Sequence, residues 1–334
     1  MTEEISIVDM HTGGEPVRIV TGGYPDIPAG TILQKRAWVR NHADHLRRLL
    51  MFEPRGHADM YGALLVEPEL PGADLGVLFM HNEGYSTMCG HAVIALGRYA
   101  VDNGFVAAAE PQTEVGIECP CGLVRARVEV SAGKSGAVSF ESVPAFLHTR
   151  DASVELPGFG RIVFDIAYGG AFYALADAAQ FGLEFGRHRS RDFQDAAAAL
   201  TEAVKAAFPL DHPDDADLAF LYGSILTDGG SGADGVPTRN ICVFADAQID
   251  RSPTGSGVTA RMAAMHARGA VGLGEQRLFE SITGSRFTGT VETETSAGNR
   301  AAVTVRVSGK AHYTGTAEFT LEDDDELGRG FLLG

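Results

Sequence analysis

Phe79-Met80-His81, then Met88-Cys89-Gly90-His91, then an apolar run closing at Asn103-Gly104, is the stretch that decides the fold, because the chain writes it twice. It returns as Phe244-Ala245-Asp246, then Pro253-Thr254-Gly255-Ser256-Gly257, then a second apolar run closing at Arg268-Gly269. Ten residues separate Phe79 from Cys89 and Phe244 from Thr254; fifteen separate Cys89 from Gly104 and Thr254 from Gly269. The offset is 165 throughout. Two earlier pairs extend the match: Tyr61-Gly62 with Tyr222-Gly223 at offset 161, and Gly13-Gly14 with Gly169-Gly170 at offset 156. One glycine pair means little in a chain with 41 glycines. Three ordered pairs whose offset drifts slowly, as loop insertions produce, mark an internal duplication.

Local patterns fill in the elements. Val77–Met80 and Ile241–Ala245 read as short apolar strands. His91–Asp102 and Val258–Ala267 have helical apolar spacing, each stopped by a glycine. Further helices are expected over Leu33–Met51 and Ser190–Ala207. Short β runs surround them at Glu114–Ile117, Leu123–Val130, Gly160–Asp165, Ala302–Val307 and Thr316–Leu321. This is an α+β pattern in two similar halves meeting around Glu141–Leu156. Residues 1–150 form the first half, carrying Cys89, to which residues 315–334 can return; residues 151–314 form the second, carrying Thr254. The tail from Glu322 onward is acidic and then apolar, either docked or frayed.

Composition narrows the function. Hydrophobic residues are 45% and charged residues 21%, enough for a sizeable core. The net charge of −17 argues against nucleic acid or an anionic membrane surface as partner, though not against a small anionic substrate at a local site. No run of residues suits a membrane span, and Met1–Asp9 is not a signal peptide. Four cysteines are too few for a disulfide scaffold, which suggests a reducing compartment, the cytoplasm. Cys119-Pro120-Cys121 fits neither C-x-x-C nor a zinc pattern, and Cys242 reads as core. Gly229-Gly230-Ser231-Gly232 lacks the features of a nucleotide loop and is expected to be flexible.

The duplicated turns are the chemical signal. Each leads straight into a helix, whose first amides are unpaired and carry partial positive charge. Glycines let a ligand approach that backbone, so each turn suits an anion such as a carboxylate. If the halves face each other, one carboxylate held by both turns presents one face to Cys89 and the other to Thr254. The same helix field favours a thiolate, which can take a proton from carbon without metal or cofactor. The blander reading is a buried structural cysteine. His91 either caps the helix or contacts the substrate; Asp250 either orders its loop or pairs with a substrate ammonium. Asp9-Met10-His11-Thr12-Gly13-Gly14-Glu15 either lines the cleft or shapes a turn.

Met88-Cys89-Gly90-His91, Asp250-Arg251-Ser252-Pro253-Thr254-Gly255-Ser256-Gly257 and Asp9-x-His11-Thr12-Gly13-Gly14-Glu15-Pro16 resemble the proline racemase family, and the resemblance runs from Asp9 to about Phe331. It implies a diaminopimelate-epimerase-like fold: two pseudo-symmetric halves, each a central helix wrapped by mainly antiparallel strands, with the active site in the cleft between them. The family's racemases and 4-hydroxyproline epimerases carry cysteine at both turns; this chain departs from them at Thr254. The Cys/Thr pair is similar to that of the family's trans-3-hydroxy-L-proline dehydratases. The resemblance implies Cys89 as general base, with the amides of Gly90, His91, Gly255 and Ser256 on the carboxylate. It implies His91 and Asp250 at the ring nitrogen and Thr254 on the opposite face. No metal and no cofactor is expected, and the partner is a small imino acid; a homodimer is left open. The alternatives are a proline racemase or 4-hydroxyproline 2-epimerase, and a non-catalytic imino-acid binding protein.

Overall fold

Alternation of apolar and polar residues builds the strands: in the segment Gly122–Ser131, Val124, Ala126, Val128 and Val130 are buried while Arg125, Glu129 and Ser131 are exposed. A computed structural model describes residues 3–333. In chain order the elements are β1 (Glu3–Thr12), β2 (Glu15–Gly22), α1 (Ile32–His42), α2 (Asp44–Met51), β3 (Tyr61–Val66), β4 (Leu75–His81), β5 (Tyr85–Ser86), α3 (Gly90–Asp102), β6 (Gln112–Cys119), β7 (Gly122–Ser131) and β8 (Lys134–Glu141). There follow β9 (Phe146–Leu156), β10 (Gly160–Tyr168), β11 (Phe172–Asp177), α4 (Ser190–Ala207), β12 (Leu221–Thr227), β13 (Thr238–Phe244), β14 (Gln248–Asp250), α5 (Gly255–Ala267), β15 (Gln276–Glu280), β16 (Arg286–Ala297), β17 (Arg300–Gly309) and β18 (Ala311–Leu321). They sort into two units, Met1–Val138 with Lys310–Gly334, and Ser139–Gly309. Strand β9, where the sequence suggests the change of halves, pairs with β10 from Phe146 to Leu156 and is wholly in the second unit.

The pairings of the two units run in the same order. In the first, hairpin β1–β2 is followed by a parallel step to β3 across α1 and α2, antiparallel β3–β4 and β4–β5, a parallel step from β4 to β6 across α3, and antiparallel β6–β7. In the second, hairpin β10–β11 is followed by a parallel step to β12 across α4, antiparallel β12–β13 and β13–β14, a parallel step from β13 to β15 across α5, and antiparallel β15–β16. Strand β18 lies antiparallel on β1, as β9 does on β10. The duplication read from spacing is therefore a duplication of topology.

Each unit wraps its strands around one helix. Helix α3 packs against β1, β2, β6, β7 and β18, and α5 against β9, β10, β11, β16 and β17. Both are buried nearly all round, so they carry small residues instead of one apolar stripe. Gly97 shows the fit: a Cβ there would meet Val138 Cγ1 at 3.1 Å and Ala126 Cβ at 3.2 Å. Outer helices close a second layer, α1 and α2 over Leu64, Leu78 and Met80, and α4 over Leu226 and Ile241. Both central helices end as expected, with Gly104 and Gly269 at positive φ of 73° and 71°.

The single helix expected over Leu33–Met51 is two. Ala43, at φ −129° and ψ 17°, breaks it, and α2 restarts at Asp44, whose carboxylate binds Arg47 Nε at 2.7 Å. The break lets α2 bury Leu46, Arg47, Leu49, Leu50 and Met51, more than one continuous stripe accommodates. The tail is docked: Phe331 bridges Glu53, and Arg55 donates to the Gly328 carbonyl at 2.7 Å. Gly229–Gly232 is tethered, with Asp228 accepting from the Gly230 amide and the Gly232 carbonyl accepting from Leu278. Among the described residues no helix is long and apolar enough to cross a membrane. Substituting Gly97→Val should lower stability by about 1–3 kcal/mol through overpacking against Val138 and Ala126, read as a lower urea midpoint at unchanged m-value; an unchanged midpoint would mean that the contact is not tight.

Candidate active site

The first turn is built by hairpin β4–β5, which delivers the chain into α3. Cys89 is the N-cap of α3, in an extended conformation (φ −145°, ψ 105°), and its Sγ accepts from the Ala92 amide at 3.4 Å. The His91 ring stands against the same sulfur, with Nδ1 at 3.1 Å. An amide and a ring N–H are donors that favour thiolate over thiol. His91 is itself fixed. Its carbonyl accepts from Thr12 Oγ1 at 2.8 Å, and the Tyr61 ring meets it edge-on with centroids 4.9 Å apart. Cys89 and His91 are both buried.

The opening motif therefore shapes the turn. Asp9 forms an ion pair with Arg18, which also donates to the carbonyls of Leu50 and Arg55. His11 accepts from the Gly14 amide at 3.2 Å. Thr12 reaches the first turn of α3, a role that its place in the motif did not disclose. Cys119 ends β6 and Cys121 lies in the β6–β7 turn, and neither is disulfide-bonded. Burial pushes the Cys119 thiol well up, with Cys121 and then Cys89 adding to the shift. Cys119 is thus a thiol held protonated, in contrast to the donors gathered on Cys89.

The second turn is built by hairpin β13–β14. Asp250, at the end of β14, accepts from the Ser252 amide at 2.7 Å, and Ser252 Oγ accepts from the Thr254 amide at 3.1 Å. Asp250 thus orders the loop, the blander of its two readings, whatever else it binds. Thr254 takes the N-cap position of α5 at φ 65°, a left-handed conformation that a β-branched residue adopts rarely. Its buried hydroxyl has no hydrogen-bond partner among the described residues. Gly257 makes room for it: a Cβ there would meet Thr254 Cγ2 at 3.0 Å and Ile225 Cδ1 at 2.5 Å. Ser256 Oγ bonds the buried Tyr173 hydroxyl at 2.7 Å, and burial keeps that phenol protonated by pushing its pKa well up. Helix geometry leaves the amides of Gly255 and Ser256, like those of Gly90 and His91, without acceptors in their own helices.

Each unit therefore presents a comparable arrangement: an N-cap residue, two helix-start amides and a buried aromatic against the side chain two residues on, the aromatic coming from β3 in one unit (Tyr61) and from β11 in the other (Tyr173). Tyr61 matches Tyr222 in the repeat while Tyr173 matches Val17, so the repeat alone did not single out these two rings. Among the described residues no group of three or more His, Cys, Asp or Glu is placed to hold a metal ion.

Comparison with known proteins identifies the family. The sequence model of the proline racemase family matches residues 7–332. The chain belongs to the proline racemase family. Within it, a trans-L-3-hydroxyproline dehydratase of Xenopus tropicalis is 59% identical over 331 residues, which is 98% of this chain and 95% of that one. A trans-3-hydroxy-L-proline dehydratase of Homo sapiens is 58% identical over 337 residues, 99% and 95% of the two chains. The crystal structure of a hydroxyproline epimerase from Agrobacterium vitis with bound trans-4-OH-L-proline is similar at a TM-score of 0.93 and 30% identity, covering 99% of this chain and 96% of that one. The α+β proline-racemase fold implied by the resemblance is the fold observed.

The contrast between the thiols of this family member is testable. An acid whose pKa is raised keeps its proton to higher pH, and each unit of separation changes thiolate population roughly tenfold. Iodoacetamide near neutral pH should label Cys89 well before Cys119, whose labelling begins only above the ordinary thiol range; peptide mapping that finds equal rates would contradict the assignment.

Proposed function

We propose that this chain is a trans-3-hydroxy-L-proline dehydratase, a hydro-lyase yielding a pyrroline-2-carboxylate. The observation that carries the reading is the unequal pair at one duplicated position, Cys89 opening α3 and Thr254 opening α5. The dehydratases at 59% and 58% identity over nearly the whole chain support it.

In trans-3-hydroxy-L-proline the hydroxyl is opposite the carboxylate, so the C2 hydrogen and the C3 hydroxyl share a ring face. In this reading the Cys89 thiolate takes the C2 proton. The electron pair of that bond becomes the C2–C3 double bond as the C3–O bond breaks. The sulfur returns its proton to the departing oxygen, which leaves as water, and the resulting enamine tautomerises to the cyclic imine. The balance closes without metal or organic cofactor. The amides of Gly90, His91, Gly255 and Ser256 hold the carboxylate and oppose the charge that builds on it as C2 is deprotonated. His91 and Asp250 take the ring nitrogen. Thr254 hydrogen-bonds on the other face, for which its unpartnered hydroxyl is suited. A threonine hydroxyl is far less acidic than a thiol, so the second face does not exchange protons, and elimination is favoured over inversion. A cytoplasmic setting suits a base that must stay reduced.

Purified protein is assayed on trans-3-hydroxy-L-proline, trans-4-hydroxy-L-proline and L-proline in deuterated water with a cyclic-imine trap. Imine from the first substrate alone is expected; inversion at C2 with the ring hydroxyl retained would instead make the chain an epimerase. Replacing Cys89→Ser should cost about 10²–10⁴-fold in kcat, the worth of a general base, while substrate binding by calorimetry stays within a few-fold. Retained turnover in that variant would remove Cys89 from the mechanism.

A further inference from the structure

The left-handed Thr254 has a cause of its own. Cys89, at the matching position of the other turn, is extended at φ −145°, so this turn design does not itself require a left-handed cap. Something specific to the second unit holds Thr254 at φ 65°.

Arg261 lies seven residues along α5 from Thr254 and is buried. Its Nη1 donates to Asn240 Oδ1 at 3.0 Å, and its Nη2 to Thr238 Oγ1 at 2.7 Å. Asn240, fully buried on β13, donates through Nδ2 to the Pro253 carbonyl at 3.2 Å. That carbonyl and the Thr254 N–H belong to one peptide group, and Ser252 holds the N–H. The Thr254 carbonyl is held in turn by the Val258 amide at 2.7 Å. The peptide on each side of the Thr254 Cα is thus fixed, which over-determines its φ and ψ.

The duplication shows that the pair is a special provision. At the offset of 165, Asn240 and Arg261 correspond to Leu75 and Leu96, both buried. The first unit fills these places with hydrocarbon, the ordinary choice for a core. The second accepts a buried guanidinium whose partners are the neutral side chains of Asn240 and Thr238 and the Phe279 ring, 4.8 Å from its Cζ. Burial pulls its pKa down to about 10, and only Asp228, reached through Thr238, opposes the shift. A buried charge of this kind is costly and needs a compensating role.

We propose that Asn240 and Arg261 are positioning residues for the dehydration, clamping the Pro253–Thr254 peptide so that the Thr254 hydroxyl is fixed toward the substrate. The inference rests on the dehydratase reading for its chemistry but not for its geometry. Asn240→Asp keeps the acceptor for Arg261, indeed as an ion pair, and loses the donor to Pro253. Asn240→Leu and Arg261→Leu together restore the pair found in the first unit.

The test is a double-mutant cycle on full-length protein, with Asn240→Asp and Thr254→Ala alone and combined, followed as kcat and KM on trans-3-hydroxy-L-proline. Asn240→Asp should keep or raise the unfolding midpoint yet lower kcat/KM about tenfold or more, and that loss should shrink to within about threefold when Thr254 is already alanine. Equal losses in both backgrounds would overturn the clamp, as would a fully active Asn240→Asp protein. Backbone carbon shifts of Thr254, measured by NMR without substrate, supply the second readout. They should leave left-handed values in Asn240→Asp and in the double leucine variant, and unchanged shifts would overturn the inference whatever the substrate. Wild-type protein that does not dehydrate trans-3-hydroxy-L-proline but whose Thr254 shifts respond as expected would sink the function and leave the clamp.

Discussion

Everything in this protein depends on what a helix start offers once the helix is buried on all sides. Along α3 and α5 the backbone satisfies itself, and the side chains are small or apolar enough to take strands on every face. The first turn is the exception, since its amides have no acceptors within the helix, and in α3 the third of them, Ala92, is taken by Cys89 Sγ. Burying the rest of the helix concentrates the hydrogen-bonding capacity that the helix leaves open at one end. The surrounding hairpins then have one task, which is to bring the right atoms to that end. Thr12 reaches the His91 carbonyl from the β1–β2 hairpin. The β10–β11 hairpin presses so closely on α5 that a Cβ at Gly169 would stand 2.2 Å from the Ser256 carbonyl oxygen. Glycine is the residue that permits that approach.

The parts of the fold legible in the sequence were those expressed as spacing. The offset of 165 between the two turns survives any ignorance of packing, and it carried the duplicated topology with it. The central helices were legible because each joins apolar periodicity to a glycine stop, and α4 because its alternating faces run uninterrupted from Ser190 to Ala207. The break at Ala43 was not legible, because the apolar stripe passes through it in phase; the signal was Asp44 with Arg47 three residues on, a helix start inside a helix pattern. Cys89 and Thr254 were legible as equivalent residues, but their different backbone conformations were not. A β-branched residue gives no local hint of a positive φ, and the reason for it lies in Asn240, fourteen residues upstream, and Arg261, seven downstream.

Asn240 and Arg261 escaped sequence reading for a general reason. Pattern analysis assigns charged residues to the surface, and an arginine seven residues into an otherwise small and apolar helix looks like an exposed position. Only the comparison of halves corrects this, since Leu96 stands where Arg261 does. A duplicated chain carries its own control: where the two copies agree, the residue serves the shared fold, and where a polar residue replaces a buried apolar one, the exception marks work that one half alone performs. Tyr61 and its counterpart Tyr222 are of the first kind, and Asn240 and Arg261 of the second.

The same comparison separates binding from chemistry. Both units keep the helix-start amides, the parts that suit a carboxylate, with an aromatic residue nearby, Tyr61 on β3 in one and Tyr173 on β11 in the other. What differs is the side chain at the N-cap position and the backbone that aims it: sulfur on an extended residue in one unit, a hydroxyl on a left-handed residue in the other. In the mechanism proposed for this chain, an acid strength difference of several orders of magnitude between thiol and alcohol decides which proton transfers are open, with no alteration to the core of either unit. On that mechanism, a chain of this fold moves between inversion and elimination by changing the N-cap residues and the few buried groups that hold them, because the strands and central helices contribute only the field in which those groups act.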